Sequence, residues 1–62
     1  MDKLLYRPKE AAKVLDISKD KLYDLIRAGR INSVKDGRAR FITADALGAY
    51  VRLLESEAEE AA

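Results

Sequence analysis

The sequence contains no cysteine and no histidine. Disulfide bonds are therefore excluded, and so are the usual zinc sites, which take their ligands from these two residue types. Catalysis by a Cys/His or a Ser/His pair is excluded for the same reason. These absences remove most classes of enzyme. We expect a protein that acts by binding, with no cofactor and no small-molecule substrate.

Long apolar runs are also absent. No stretch approaches the roughly 20 apolar residues that span a bilayer, and the first residues lack the apolar core of a secretory signal. We therefore expect a soluble cytoplasmic protein that has no membrane partner. With 62 residues the chain forms one domain at most, and a domain of this size buries only about 60% of the surface of its unfolded chain.

Charge is unevenly distributed along the chain. The net charge is +1, but all twelve Lys and Arg residues lie in residues 1–54, against seven Asp and Glu, for a net charge of +5 there. Four glutamates follow in the last eight residues. We therefore expect a basic folded domain, residues 1–54, and an acidic tail, residues 55–62, that is frayed or disordered. A basic domain attracts polyanions, although an ordinary charged surface has a similar composition.

The first half of the chain predicts two helices joined by a tight turn. A proline suits the first position of a helix over residues 8–15. Asp16 tolerates the left-handed conformation of a tight turn. Ser18 is a good N-cap and Gly29 a good left-handed C-cap for a second helix over residues 19–28.

The second half predicts a hairpin and a third helix. Asp36-Gly37 suits a two-residue type I′ turn, which pairs Val34 with Ala39. Alternation then gives the hairpin a core face and a basic face. The core face carries Val34, Ala39 and Phe41, and the basic face carries Lys35, Arg38 and Arg40. Thr43 is a plausible N-cap for a helix whose apolar positions are Leu47, Tyr50, Val51 and Leu54.

The residues before the first helix give weaker signals. Leu4, Leu5 and Tyr6 form an apolar patch too short to predict an element, and we expect it to pack as a lid on the core. Arg7 occupies the expected cap position of the first helix, where it is a poor capping residue.

This order of elements predicts a mainly α fold with a small β-hairpin, a winged helix-turn-helix of order α-α-β-β-α. The motif requires a small residue where its two helices cross, and in this chain that residue is Ala12. It also requires apolar residues around that crossing, and in this chain these are Ala11, Leu15, Ile17, Leu22 and Leu25. The usual glycine of the turn is replaced by Asp16.

The candidate DNA-binding residues lie on the second helix and the hairpin. They are Ser18, Lys19, Asp20, Lys21, Tyr23, Asp24, Arg27, Lys35, Arg38 and Arg40. An α-helix fits the major groove, where Arg27 could pair with a guanine and an aspartate could accept from a cytosine amino group. The lysines and the tyrosine hydroxyl suit phosphates. Arg38 and Arg40 could follow phosphates or enter a narrow minor groove.

Several of these residues also have a purely structural interpretation. Asp20 is favourable beside a helix N-terminus, and Asp24 could simply pair with Arg27 on a solvated face. Tyr23 could pack partly against the core with its hydroxyl in water. The wing cations could protect an exposed hairpin edge from pairing with another chain.

Four stretches carry a resemblance to a known family. They are residues 7–18, 21–31, 34–42 and 43–51, and together they resemble the small excisionase proteins of phages and mobile elements, relatives of the MerR-type DNA-binding domain. Members often carry Ser or Thr where this chain has Arg7. The resemblance covers about four fifths of the chain and implies a bacterial or phage-encoded, nucleoid-associated protein.

The resemblance also implies a mechanism. Excisionases bind tandem sites near an attachment site, bend the DNA and direct an integrase toward excision. The expected partners are therefore double-stranded DNA, an integrase or recombinase, and neighbouring copies of the chain. Two alternatives stay open, namely a MerR-like transcriptional regulator domain and a protein-interaction module on the same fold.

Overall fold

The computed structural model of the chain describes residues 3–61. The elements, in order, are β1 (Leu5–Tyr6), α1 (Pro8–Leu15), α2 (Lys19–Arg27), β2 (Val34–Asp36), β3 (Ala39–Thr43) and α3 (Ala44–Ala61). The predicted order α-α-β-β-α is confirmed, as is the mainly α winged helix-turn-helix architecture. The strand β1 precedes that order and was not predicted.

Helix α1 begins at Pro8, as expected. The Arg7 side chain makes no capping hydrogen bond, and the Glu10 carboxylate instead accepts from the Arg7 backbone N–H at 3.0 Å. Glu10 also forms an ion pair with Lys3. The hydrogen bond from Lys3, followed by that from the Arg7 N–H, lowers the pKa of Glu10. Glu10, at the third position of the helix, therefore stabilises the helix start in place of the Arg7 side chain, which makes no capping hydrogen bond.

The sheet has three antiparallel strands in the order β1-β3-β2. Leu5 pairs with Thr43, and Tyr6 pairs with Ile42. The prediction of an N-terminal lid is therefore wrong for most of the patch, because Leu4 is 74% exposed and only Tyr6 packs against the core. The segment adds an edge strand to the hairpin instead.

The hairpin turn lies one residue later than predicted. Asp36 pairs with Ala39, so the two loop residues are Gly37 and Arg38. Of these two, only Gly37 has a positive φ, at 64°. Glycine at the first of two loop positions is the pattern of a type II′ turn, in which the second residue has negative φ. The type I′ turn at Asp36-Gly37 is thus wrong, and Val34 lies opposite Phe41.

The hairpin also packs on the core with the face opposite to the one predicted. Ile42 is fully buried, whereas Val34 is 46% exposed. Phe41 and Ala39 are half-buried, and the Arg7 guanidinium lies over the Phe41 ring at 4.8 Å. The core face is therefore the one that carries Ile42, so the assignment of Val34, Ala39 and Phe41 to the core is wrong.

The core lies where the two first helices, β3 and α3 meet. Its buried residues are Ala11, Ala12, Leu22, Leu25, Ile31, Ile42, Leu47 and Tyr50. The predicted N-cap of α3 is present, since the Thr43 hydroxyl accepts from the Ala46 N–H at 2.9 Å. Val51 and Leu54 are nevertheless 44% and 43% exposed, and Leu53 packs against the core instead.

The acidic end of the chain is helical in the structure. Helix α3 continues to Ala61, so residues 55–61 differ from the frayed or disordered tail that we expected. Their side chains are exposed. Ala62 lies outside the described residues. Within the described range, no helix combines the length and the apolar character that crossing a bilayer requires.

Candidate nucleic-acid interface

The turn between α1 and α2 fixes where α2 begins. Asp16 has φ 58° and ψ 45°, which is the predicted left-handed conformation. Its N–H donates to the Lys13 carbonyl at 3.1 Å, and the Ile17 N–H donates to the Ala12 carbonyl at 3.0 Å. The Ile17 side chain packs against the core. The turn is thus tied to α1 by two backbone hydrogen bonds and by an apolar contact.

Helix α2 has the predicted N-cap, and the glycine predicted to end it has the left-handed conformation one residue after the C-cap. The Ser18 hydroxyl accepts from the Lys21 N–H at 3.0 Å and so satisfies one of the free donors of the first turn. Gly29 has a φ of 77°. The helix itself ends at Arg27 with Ala28 as its C-cap, one residue earlier than predicted. These caps hold α2 at a defined length and position.

The two sides of α2 differ in character. Leu22 and Leu25 are buried, and Ile26 is half-buried against the core. The opposite side carries the exposed side chains of Asp20, Asp24 and Arg27, and the exposed Lys19 and Lys21 lie on its two flanks. Tyr23 lies beside them and is half-buried. The predicted reading residues of α2 therefore share one accessible, polar side of the domain.

An ion pair crosses this exposed side. The Arg27 guanidinium donates to the Asp24 carboxylate one turn earlier, which is the structural alternative that the spacing allows. The two side chains are 68% and 65% exposed. A pair this exposed is worth only about 0–1 kcal/mol. Arg27 can therefore exchange this carboxylate for another acceptor at little cost.

The wing, residues 34–43, presents two of its three predicted cations to solvent. Arg38 lies in the turn and is exposed, as is Lys35 on β2. Arg40 lies directly opposite Lys35, but it is half-buried and donates from Nη1 to the Ser33 hydroxyl at 2.5 Å. Arg38 is therefore the cation best placed at the tip, and Arg40 has a partner inside the domain.

Arg30 makes a contact that the sequence analysis missed. It donates two hydrogen bonds to the Glu57 carboxylate, at 2.6 and 2.9 Å, and lies 6.0 Å from the centre of the Tyr50 ring. The hydrogen bonds from Arg30 lower the pKa of Glu57, and the same contact raises the pKa of Arg30. The pair fixes the distal half of α3 to the segment that follows α2. Local sequence patterns give no signal for a contact across 27 positions.

An open cleft between α1 and the start of α2 was also missed. It has a volume of about 430 Å³ and is lined by Lys9, Ala12, Lys13, Ile17 and Lys19. The spacing of the two α1 lysines, four positions apart, could have indicated it. Among residues 3–61, no group of three or more His, Cys, Asp or Glu residues is placed to hold a metal ion.

The chain matches a known protein family over most of its length. A family model described as a helix-turn-helix domain matches residues 5–52. The matched range begins in β1, includes both helices, their turn and the whole hairpin, and ends within α3. No curated protein and no solved structure matches the chain significantly.

Proposed function

The chain belongs to the helix-turn-helix domain family, and we propose that it is a sequence-specific DNA-binding protein that acts by binding and not by catalysis. One observation carries the proposal. Helix α2 is capped at both ends and buries one side, while its opposite side exposes a continuous set of polar side chains. Such a helix is what helix-turn-helix domains place in the major groove.

In this proposal α2 reads base edges in the major groove, which is about 12 Å wide and admits a helix. Arg27 pairs with the O6 and N7 atoms of a guanine after leaving Asp24. Lys19 and Lys21 flank the reading side and contact phosphates, which position the protein without reading sequence. Asp24, once free, can accept from a cytosine amino group.

The wing contacts the adjacent minor groove. Arg38 supplies the cation at its tip, since it is exposed and lies in the two-residue loop. Lys35 supplies a second exposed cation on β2. A narrow minor groove concentrates negative potential and attracts such side chains.

We further propose an architectural role of the excisionase type in the cytoplasm, on nucleoid DNA. Two points support it: the matching family includes excisionase-like DNA-binding domains, and the sequence resembles the small excisionases over about four fifths of its length. The protein would then bend attachment-site DNA and act with an integrase or recombinase, and with neighbouring copies of itself on tandem sites.

The test begins with selection of a binding site from randomised duplexes, followed by binding measurements at 50 and 200 mM salt. Four phosphate contacts, at Lys19, Lys21, Lys35 and Arg38, give a loss of affinity of about 100-fold over this range. Affinity that stays flat with salt, or no binding to DNA at all, would refute DNA binding and favour a protein-interaction module. Binding without bending of the selected duplex would refute the architectural role and favour a transcriptional regulator.

Arg27→Ala provides the residue-level test. It should cost about 1–3 kcal/mol on the selected site and relax the preference at one base pair. Asp24→Asn is the matched variant, because it removes the ion-pair partner of Arg27 and leaves the guanidinium in place. Equal losses for Arg27→Ala on selected and scrambled DNA would show that Arg27 contacts only a phosphate.

A further inference from the structure

Helix α3 has an exposed apolar side, which we call the α3 stripe. Val51 and Leu54 are 44% and 43% exposed, and Ala58 and Ala61 are exposed as well. These four positions are spaced by three, four and three residues, the spacing with which a helix packs along a second element. The stripe continues the side of α3 that is buried one turn earlier at Leu47. Helix α3 therefore extends its apolar side beyond the part that the domain covers.

Acidic side chains border the α3 stripe. Glu55 and Glu57 lie one on each flank of it, and Glu59 and Glu60 belong to the same two turns of the helix. Arg30 holds Glu57, but no salt bridge between described residues involves the other three glutamates. Two copies joined stripe to stripe would bring these like charges together, which is destabilising. The stripe therefore fits an apolar surface that carries positive charge.

A surface of this kind lies on the side of the sheet that faces away from the core. We call it the wing outer face, and the register places on it Leu5, Val34, Ala39 and Phe41. Leu5 and Val34 are 44% and 46% exposed. The Arg7 guanidinium lies over the Phe41 ring at 4.8 Å, and no salt bridge between described residues involves Arg7. The wing outer face thus combines apolar side chains from all three strands with a cation that has no carboxylate partner among residues 3–61.

We propose that the α3 stripe of one copy of this chain docks on the wing outer face of a second copy. Glu55 then lies beside Arg7, and Leu54 packs against Phe41. The carboxylate of Asp36 also lies on the wing outer face, but beside the turn, so the acidic helix approaches the opposite end, at β1. The inference rests on the architectural role in the proposed function and deepens it, because it names the surfaces by which neighbouring copies meet.

The contact joins two different surfaces, so each copy keeps a free surface for a further copy. Contacts of this kind form open chains, or rings where the rotation between copies closes. Each surface presents only a few apolar side chains, and small interfaces are weak. Copies bound to adjacent DNA sites nevertheless have a high effective concentration for one another. The contact therefore acts mainly between copies that already lie side by side on DNA.

Sedimentation velocity without DNA tests the inference, at protein concentrations from about 10 µM to about 1 mM, a range that covers weak contacts. The wild type should form species larger than a dimer. Leu54→Asp disables the α3 stripe and Val34→Asp disables the wing outer face, so each variant alone should stay monomeric. An equal mixture of the two should form a dimer and nothing larger, because one productive contact remains. Ala49→Asp, the matched control, adds the same charge at an exposed position on the opposite side of α3 and should behave like the wild type.

A second readout compares duplexes that carry one and two tandem copies of the selected binding site. The wild type should bind the two-site duplex with a cooperativity of at least about 5-fold. Leu54→Asp should lose this cooperativity and keep the wild-type affinity for the single site. Wild type that stops at a dimer, or a mixture of the two variants that stays monomeric, would overturn the inference. Wild type that associates as described but does not bind DNA would refute the proposed function and not the contact. Circular dichroism confirms that each variant is folded.

Discussion

Truncation of Ile42 should destabilise the domain far more than truncation of Val34. Ile42 is fully buried on β3, so Ile42→Ala loses transfer free energy and leaves a cavity, for a cost of about 2–5 kcal/mol. Val34 is 46% exposed, so Val34→Ala gives up only about half of the burial of two methyl groups, or less than about 1 kcal/mol. A domain of this size has roughly 3–9 kcal/mol of stability in total.

Thermal and urea denaturation followed by far-UV circular dichroism measures both variants. Because 1 kcal/mol shifts the Tm of so small a domain by about 4–8 °C, Ile42→Ala should lower Tm by at least about 8 °C. If that variant fails to fold, Ile42→Val should still cost about 0.5–1.5 kcal/mol. A larger loss for Val34→Ala than for Ile42→Ala would refute the burial of the face that carries Ile42, because Val34 and Ile42 lie on opposite faces of the hairpin.

Two further predictions concern charged residues. Arg38→Ala should lower affinity for every DNA sequence and reduce the salt slope by about 1. Arg40→Ala should instead lower Tm, because Arg40 is half-buried and hydrogen-bonded within the domain; equal effects of both variants on the salt slope would contradict this division. The hydrogen bonds from Arg30 lower the pKa of Glu57 in the folded protein. The pair should therefore stabilise the fold fully at pH values above the ordinary carboxyl pKa of about 4.3. It should lose this stabilisation as the pH falls through the lower pKa that Glu57 has in the folded state. The Tm difference between wild type and Glu57→Gln should therefore narrow below about pH 4.3 in a pH series of melting curves, and an identical profile for Glu59→Gln would contradict it.

The features that the sequence predicts well are local ones. Ser18, Gly29 and Thr43 are caps whose hydrogen bonds or dihedral angles involve residues within a few positions of each other. The left-handed Asp16 is of the same kind. Residue type and spacing decide such features, because the competing conformations differ within a single turn of chain.

The hairpin register could not be predicted in this way. Asp36-Gly37 and Gly37-Arg38 are both acceptable two-residue loops by turn chemistry. The observed register places Ile42 in the core and pairs it with Tyr6, a partner more than thirty residues away. A local pattern does not include that contact. Both loops place Val34, Ala39 and Phe41 on one face and Arg40 and Ile42 on the other. The choice of core face, and with it the accessibility of Arg40, therefore depends on tertiary packing and not on the turn.

In the candidate site, too, the local features are predictable from the sequence and the long-range contacts are not. The exposed side of α2 follows from helical periodicity alone, and its residues lie where the sequence predicts. The Arg30–Glu57 pair and the cleft between α1 and the start of α2 depend on how separate elements pack, which periodicity does not describe.

Strand β1 has a consequence for the order in which the domain can fold during synthesis. Leu5 is made early, but its pairing partner Thr43 leaves the ribosome only after both helices of the helix-turn-helix. Because long-range pairing waits for the intervening chain, α1 and α2 can dock on each other before the sheet is complete. The segment that begins the domain is therefore among the last to take its place.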